Sequence, residues 1–407
     1  MGFVSSFFAI FISVILLQLS SGGLGPLDAL SGLVLGFTTQ QIGLLGSSHF
    51  LGFFIGCWWA PRLIGQVGHS RTFAACTAMG AIGMLAHMLI IDPYAWAVMR
   101  IASGLCVAGC YTVIEAWLNA KVNNKNRGRA MGSYRIVDTG ASMIAQLLVA
   151  VLSPADYVAY NLVALLCCAS LLPITLTRVK QPVIPSAPRL RPSLAWSISP
   201  LAVMGVMAAA LSSASFRMVG PIYGQNVGLQ NEQIAFFLAA FVAGGAIAQY
   251  PVGWLADKYD RRWVLIGLSN AVIASCLLTV LLSSQGTTMV MLGAVIFGLT
   301  TFPIFSVSAA HANDFATDDQ RVELSAALMF FFAVGAIASP LVSSALITSF
   351  GPTALFVFIA VSHVLLVFFS LLRMRRRSTV QDKTAYVYTP RSSFTIGRLL
   401  DRMRKRK

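Results

Sequence analysis

The chain is 407 residues long, 57% hydrophobic and only 11% charged, with a mean hydropathy of +0.76. That usage lies far outside the range of water-soluble domains and marks a membrane protein. A formal net charge of +15 would suggest nucleic acid in a soluble chain, so the position of the basic residues decides whether that class stands.

A helix needs about 20 apolar residues to cross a bilayer core. Runs of that kind occupy residues 5–34, 41–61, 72–91, 94–119, 130–153 and 156–177, then 196–222, 231–254, 263–283, 287–311, 323–348 and 352–372. The expected fold class is all-α and integral to the membrane, with twelve transmembrane helices. The first run starts at Phe3 with no basic segment before it and no small-residue cleavage site after it, so it reads as a retained helix and not a signal peptide. Pro26 inside it supplies a cause for a kink. Seven cysteines (Cys57, Cys76, Cys106, Cys110, Cys167, Cys168, Cys276) lie inside apolar runs, with no CxxC spacing and no histidines at ligand spacing. They read as small buried hydrophobes, and neither a metal nor a cofactor is expected.

Of the 29 Lys and Arg, 26 fall in the loops after the second, fourth, eighth and tenth runs, in the central linker, and in the tail from Arg373 onward. The other three, Arg100, Arg135 and Arg217, lie inside apolar runs, and the opposite loops hold none. This is a positive-inside bias without exception. It predicts a multi-pass plasma-membrane protein, of a bacterial inner membrane, with both termini cytoplasmic. The charge is accounted for by topology and a basic tail, and no nucleic-acid partner is expected.

The stretch RVKQPVIPSAPRLRPS, rich in proline and bases, predicts a semi-rigid cytoplasmic linker over 178–195. It separates an N-terminal six-helix bundle (1–177) from a C-terminal one (196–373), followed by a basic cytoplasmic tail (374–407). The halves are related in sequence. An offset of 192 sets Gln41-Ile42 on Gln233-Ile234 and LIGQVGHSR (63–71) on LADKYDRRW (255–263). Downstream, an offset of 194 sets Gly104 on Gly298 and Arg127 on Arg321, and Gly25-Pro26 meets Gly220-Pro221 after a three-residue gap. Parallel repeats of six helices characterise one transporter architecture.

GWLADKYDRR, with Gly253, Asp257, Lys258, Tyr259, Arg261 and Arg262 in place, resembles the cytoplasmic signature that major facilitator superfamily transporters carry between helices 2 and 3 and repeat between helices 8 and 9. Asp260 replaces the second glycine of the pattern. The copy between helices 2 and 3, usually the better preserved, has Gly65 in place of Asp and Gln66 in place of a base. RIASGLCVAG, with Arg100, Gly104, Ala108 and Gly109, looks like the family's intramembrane Arg-xxx-Gly element. SYRIVDTGASMIAQLL in helix 5 lacks the Gly-Pro pair associated with drug/proton antiporters. EAWLN, RGR and AHAND look similar to a poorly characterised bacterial subgroup. The resemblance covers residues 5 to 372 and implies two pseudo-symmetric bundles, alternating access, and an inner gating role for Gly253, Asp257, Lys258, Arg261 and Arg262.

Ionisable groups at membrane depth are costly and call for individual accounts. Glu115 and Arg135 lie near the inner ends of adjacent helices, where a salt bridge is the structural reading and a substrate or coupling role the functional one. Asp138 is one turn from Arg135, so an i,i+3 pair is expected. Two acids with one base leave a carboxylate free to titrate, and Asp138 is the candidate proton carrier. Asp28 is expected to pair either with Arg217, as an outer gate between helices 1 and 7, or with Arg100 on helix 4; either cation is also placed to attract an anionic substrate. The C-terminal SSFTIGRLLDRMRKRK sets Ile396, Leu399, Leu400 and Met403 at helical spacing among bases, which fits a surface helix on anionic lipid.

The expected function is secondary active transport of a small polar or charged organic solute, of the metabolite or vitamin class. Proton coupling and a lean to uptake go with it. Efflux of drugs or metabolites is the alternative within the same class, and a membrane sensor or scaffold that lost transport is the alternative outside it. No nucleophile–base constellation or nucleotide motif supports an enzyme. The partners expected are the solute, protons and the lipid bilayer, with anionic lipid at the tail.

Overall fold

In lipid the backbone has no hydrogen-bonding partner but itself, so the apolar runs fold as helices. A computed structural model describes residues 3–122, 127–176, 189–376, 383–389, 391–394 and 397–398. The first run is two helices, α1 (Phe3–Ser21) and α2 (Leu24–Val34); then come α3 (Thr39–Val67), α4 (His69–Ala86), α5 (Pro93–Lys121), α6 (Arg127–Leu148), and the pair α7 (Tyr157–Ala169) and α8 (Leu171–Thr175). The second half contains the short α9 (Pro192–Ile198), then α10 (Pro200–Asn226), α11 (Asn231–Lys258), α12 (Arg261–Leu282), α13 (Thr287–Asn313), α14 (Arg321–Phe350) and α15 (Ala354–Arg376). Among the described residues, ten of these helices or helix pairs are long and apolar enough to cross a membrane. The less apolar α4 and α6 complete the twelve crossings of an all-α membrane fold.

The break in the first crossing has a local cause. Pro26 has no N–H to give the Gly22 carbonyl four residues earlier, and the Gln146 side chain of α6 donates to that carbonyl instead, at 2.8 Å. The kink is thus closed by a neighbouring helix, as a broken membrane helix requires. Helix starts at the end remote from the bases are capped by Asp92, Asp156 and two capping boxes, Thr38 with Gln41 and Gln230 with Gln233. The two boxes are the same element 192 residues apart.

The repeat also governs packing. A Cβ on Gly52 of α3 would lie 2.0 Å from the Ile101 carbonyl of α5, and one on Gly104 of α5 would lie 2.0 Å from the His49 carbonyl of α3. In the second half Gly244 of α11 faces the Val295 carbonyl and Gly298 of α13 faces the Phe241 carbonyl, each at 2.1 Å. Helices α1 to α8 pack chiefly on one another, as do α10 to α15, and the two groups meet along α3 with α14, α6 with α11, and α2 with α10.

At the end remote from the bases these seams are tight. A Cβ on Gly43 would lie 2.1 Å from the Ser344 hydroxyl, and one on Gly46 2.7 Å from the Met218 side chain. Trp96 lies near a helix end, where interfacial anchors usually sit, but its ring is buried and its N–H donates to the His87 and Ile90 carbonyls, both at 2.9 Å. Trp58 and Trp254 are exposed, as anchors are. Six cysteines are buried and Cys168 is exposed. Most of the 178–195 linker, and Ile396, Leu399, Leu400 and Met403 of the expected lipid-surface helix, lie outside the described residues.

Candidate functional site

A cavity of about 200 Å³ lies between the two groups of helices. It takes lining residues from α1–α2, α3, α5 and α6 of the first group, from α10, α11, α13 and α14 of the second, and from Tyr388, Arg391 and Ser392 of the tail. Asp138, eleven residues into α6, is about 17 Å from that helix's basic end at a rise of about 1.5 Å per residue. The site is therefore near mid-membrane, where a carrier exposed alternately to two sides must hold its solute.

Asp138 is held by three side chains of the wall. Its carboxylate accepts from the Tyr111 hydroxyl of α5 at 2.6 Å and from the Gln18 amide of α1 at 2.8 Å, and lies 3.9 Å from the Arg135 guanidinium. The expected i,i+3 pair is formed, at the long limit of an ion pair. The carboxylate is only partly buried, with 19% of its side chain exposed. It therefore faces the cavity.

Arg217 of α10 also lines the cavity, with its guanidinium 5.9 Å from the Phe302 ring. Among the described residues no carboxylate lies within ion-pair distance of it. A second cation comes from the tail: Arg391 donates to the Ser213 hydroxyl at 2.9 Å and sits over the rings of Phe332, Phe302 and Phe305 at 5.1, 5.4 and 5.7 Å. Cation–ring contacts range from about 0.5–1 kcal/mol at exposed sites to about 2 kcal/mol where water is excluded.

Glu115 and Arg135 do not form the expected salt bridge. The buried Glu115 carboxylate accepts from the Ser392 and Ser393 hydroxyls of the tail, while Arg135 lies over the Tyr134 and Tyr388 rings at 4.8 and 5.2 Å. Sequence reasoning had no access to this exchange, because the partners are more than 270 residues apart.

Asp28 forms the second of its two expected pairings. It lies 3.4 Å from Arg100 and 3.6 Å from His87, and accepts from the Tyr160 hydroxyl at 2.9 Å. Asp28 and Arg100 are each about 1% exposed, so this charged cluster is part of the first group's interior. Arg217 instead faces the cavity, and Asp28 and Arg217 are not brought together.

At the basic end, Arg261 of the GWLADKYDRR signature is the buried hub. It donates to the Asp314 carboxylate at 2.6 Å, the Ala310 carbonyl at 2.7 Å, Asp257 at 3.3 Å, and the backbone carbonyl of Thr384 in the tail. Burial pushes the Asp314 carboxyl up despite Arg261 and Thr384, which favour its charged form. Asp260 caps α12 by accepting from the Arg262 backbone at 3.0 Å, and its carboxylate meets the Arg262 guanidinium at 2.8 Å. Burial alone would raise the Asp260 carboxyl, but the Arg262 hydrogen bonds bring it below its usual range. Lys258 is exposed and rests 4.7 Å from the Trp254 ring. Gly253 has the Tyr386 ring where a Cβ would go, at 2.7 Å. In the first half the place of Arg261 is taken by His69, fully buried and with neither ring nitrogen hydrogen-bonded among the described residues.

Of the expected substrate or coupling residues, Asp138 and Arg135 line the cavity and Glu115 and Arg100 do not, while Arg217, expected at an outer gate, does; Gln18, Tyr111, Phe302, Phe332 and Arg391, which also line it, were not singled out in the sequence. Gln18 carried a signal, an amide inside the first apolar run. Arg391 carried none.

Comparison with known proteins gives one consistent result. The family model described as Major Facilitator Superfamily matches residues 1–201 and again 201–407. The uncharacterized MFS-type transporter YcaD of Escherichia fergusonii is 28% identical over 350 residues, covering 84% of this chain and 88% of that protein. The uncharacterized MFS-type transporter Ent638_1421 of Enterobacter sp. is 27% identical over 325 residues, 79% of this chain and 84% of that protein. Among solved structures, the nucleoside transporter NupG superposes with a TM-score of 0.71 at 16% identity, over 93% of this chain and all of that one. A D-xylose-proton symporter superposes with a TM-score of 0.67 at 11% identity, over 90% of this chain and 97% of that one.

Proposed function

The chain belongs to the Major Facilitator Superfamily and is a multi-pass membrane transporter; from that premise we propose that it carries a small organic solute with an acidic group by alternating access, in symport with protons. The observation that supports this reading is the pairing of Asp138, held by Tyr111 and Gln18 but still partly open, with Arg217, a cavity guanidinium without a carboxylate partner among the described residues. An anion on the solute answers Arg217. A proton on Asp138 lowers the local negative charge before that anion enters, so the two bind together. That order gives symport, and hence uptake when the proton gradient points inward. A structural neighbour described as a proton symporter is in keeping with this.

The basic end is the cytoplasmic face in this reading, by the positive-inside rule, and the membrane is the bacterial cytoplasmic one. Asp257, Lys258, Arg261 and Arg262 form the inner gate. The bonds from Arg261 to Asp314 and Asp257 join the ends of α11, α12 and α13 within the second half, and the conformational cycle changes how those ends are held against the rest of the protein. Asp28 with Arg100 pins α2 to α5 in the outer part of the first half.

The test is flux of labelled organic acids, one charge class at a time, into proteoliposomes with and without an inward proton gradient. Accumulation of an acid driven by the gradient, and its loss in Asp138→Asn with counterflow retained, is the expected outcome. Gradient-independent flux that Asp138→Asn leaves unchanged would overturn proton coupling. A complete absence of flux across neutral, basic and acidic solutes would favour the sensor reading, to which the weakened first signature, with partnerless His69, gives its only support.

A further inference from the structure

The described part of the tail runs into the protein. Lys383 donates to the Tyr259 carbonyl at 2.7 Å, Thr384 to Asp314 at 2.8 and 2.9 Å, and Tyr386 to Asp257 at 2.7 Å from its backbone and to Gln249 at 3.1 Å from its hydroxyl. Further on, Thr389 donates to the Ser306 hydroxyl at 3.2 Å and Arg391 to Ser213. Ser213 is thirteen residues into α10, about 20 Å from that helix's basic end. The chain then turns back: Ser392 and Ser393 donate to Glu115, the Phe394 ring lies 6.0 Å from Phe54, and a Cβ on Gly397 would lie 2.7 Å from Ser325, near the start of α14. The result is a loop inserted from the basic end with Arg391 at its apex.

We infer that the vestibule at the basic end is a docking site for the chain's own C-terminal segment, residues 383–398, and that the docked segment plugs the transport path until it is withdrawn. Three observations carry this. The contacts are specific: both oxygens of the buried Glu115 carboxylate are taken up by tail hydroxyls, and the Arg391 guanidinium is enclosed by three rings and a hydroxyl. They fall on both halves, Glu115 and Phe54 in the first and Asp257, Asp314, Ser306 and Ser213 in the second, so the segment ties together the surfaces that rocking must part. The remote end is already shut at Gly43 against Ser344 and Gly46 against Met218, so a solute in the cavity has the tail across its remaining exit.

Tethering makes such a plug effective without high affinity. Only six residues separate Arg376 from Lys383, and a short linker gives an effective concentration on the order of millimolar, so an intrinsic dissociation constant of about 100 µM keeps roughly nine molecules in ten docked. Displacement then needs only a modest competing interaction, such as binding of the basic segment elsewhere.

Cys57 reports on docking. It is buried and lies against the Phe394 backbone. In vesicles with the basic end outward, a charged, membrane-impermeant maleimide is applied to the whole protein carrying a protease site between Arg376 and Lys383, and labelling at Cys57 is read by peptide mass spectrometry. The tail is cut from protein already folded, so a folding defect is not an outcome. The expected result is that cutting and washing raise the labelling rate about tenfold, the ratio set by nine-tenths docking, and that an added peptide of residues 383–398 restores protection while its Arg391→Glu form does not. A Ser213→Cys variant should report the same change from inside the cavity. Equal labelling at both positions before and after the cut would overturn the inference. The readout needs no solute, so it stands or falls separately from the proposed transport.

Discussion

Asp28 and Asp138 are both carboxylates at membrane depth, and their surroundings give them different tasks. Asp28 is almost fully buried among Arg100, His87 and Tyr160. Removing its charge strands the Arg100 guanidinium, two of whose nitrogens already lack hydrogen-bond partners, and loss of one member of a buried pair costs about 3–5 kcal/mol. Asp28→Asn should therefore lower the thermal midpoint of the purified protein strongly, with Asp28→Asn/Arg100→Met recovering part of the loss. Asp138 faces the cavity and asparagine keeps an acceptor for Tyr111, so Asp138→Asn should cost about 1–2 kcal/mol, less than Asp28→Asn, and act on coupled flux. Equal midpoint shifts for the two single variants would contradict this division. The sequence displayed both acids and all three intramembrane cations. It did not display their partners, because Tyr160 is 132 residues from Asp28 and Tyr111 is 27 from Asp138, and no local pattern encodes a contact between helices. For the same reason two pairings for Asp28 were open in the sequence and one is formed.

Helices are where the sequence was most informative. Length and hydropathy place all twelve crossings, and the 192-residue offset foretells the repeated capping boxes. What it cannot separate is one helical glycine from another. Gly52, Gly104, Gly244 and Gly298 each meet a carbonyl of the neighbouring helix at 2.0 to 2.1 Å from a built Cβ, whereas Gly132 and Gly140 of α6 have nothing within 4 Å. A methyl at the first four must push two backbones apart, and overpacking of this kind costs about 1–3 kcal/mol or more. Gly52→Ala and Gly244→Ala should thus lower the midpoint by similar amounts, since they are equivalent positions of the repeat. Gly140→Ala should be neutral or stabilise slightly, because alanine favours the helix by up to about 1 kcal/mol. Thermal denaturation of the three variants in one detergent checks both the close approach and its symmetry; a benign Gly244→Ala beside a harmful Gly52→Ala would break the equivalence.

At the scale of the whole molecule the two ends of the inter-half seam are held by different means, small residues at one and the tail at the other. Helices α3 and α14 can close at the remote end only because Gly43 and Gly46 leave room for Ser344, Met218 and Pro340. At the basic end Arg261, Asp257 and Asp314 all belong to the second half, and the tail, bonded to Asp257 and Asp314 there and to Glu115 in the first half, is what spans the seam. A two-state carrier shifts toward whichever state a substitution disturbs less. Gly46→Leu puts a side chain into Met218 and Pro340, so it should open the remote end. Spin labels at the exposed Gln40→Cys and Phe350→Cys, the two sides of that seam in a background without native cysteines, should then move apart by about 5 Å or more, the length of a helical turn. Arg261→Ala loosens only the basic end and should leave the distance between the labels short. If both substitutions lengthen it, the two ends do not alternate, and the seam parts as a whole.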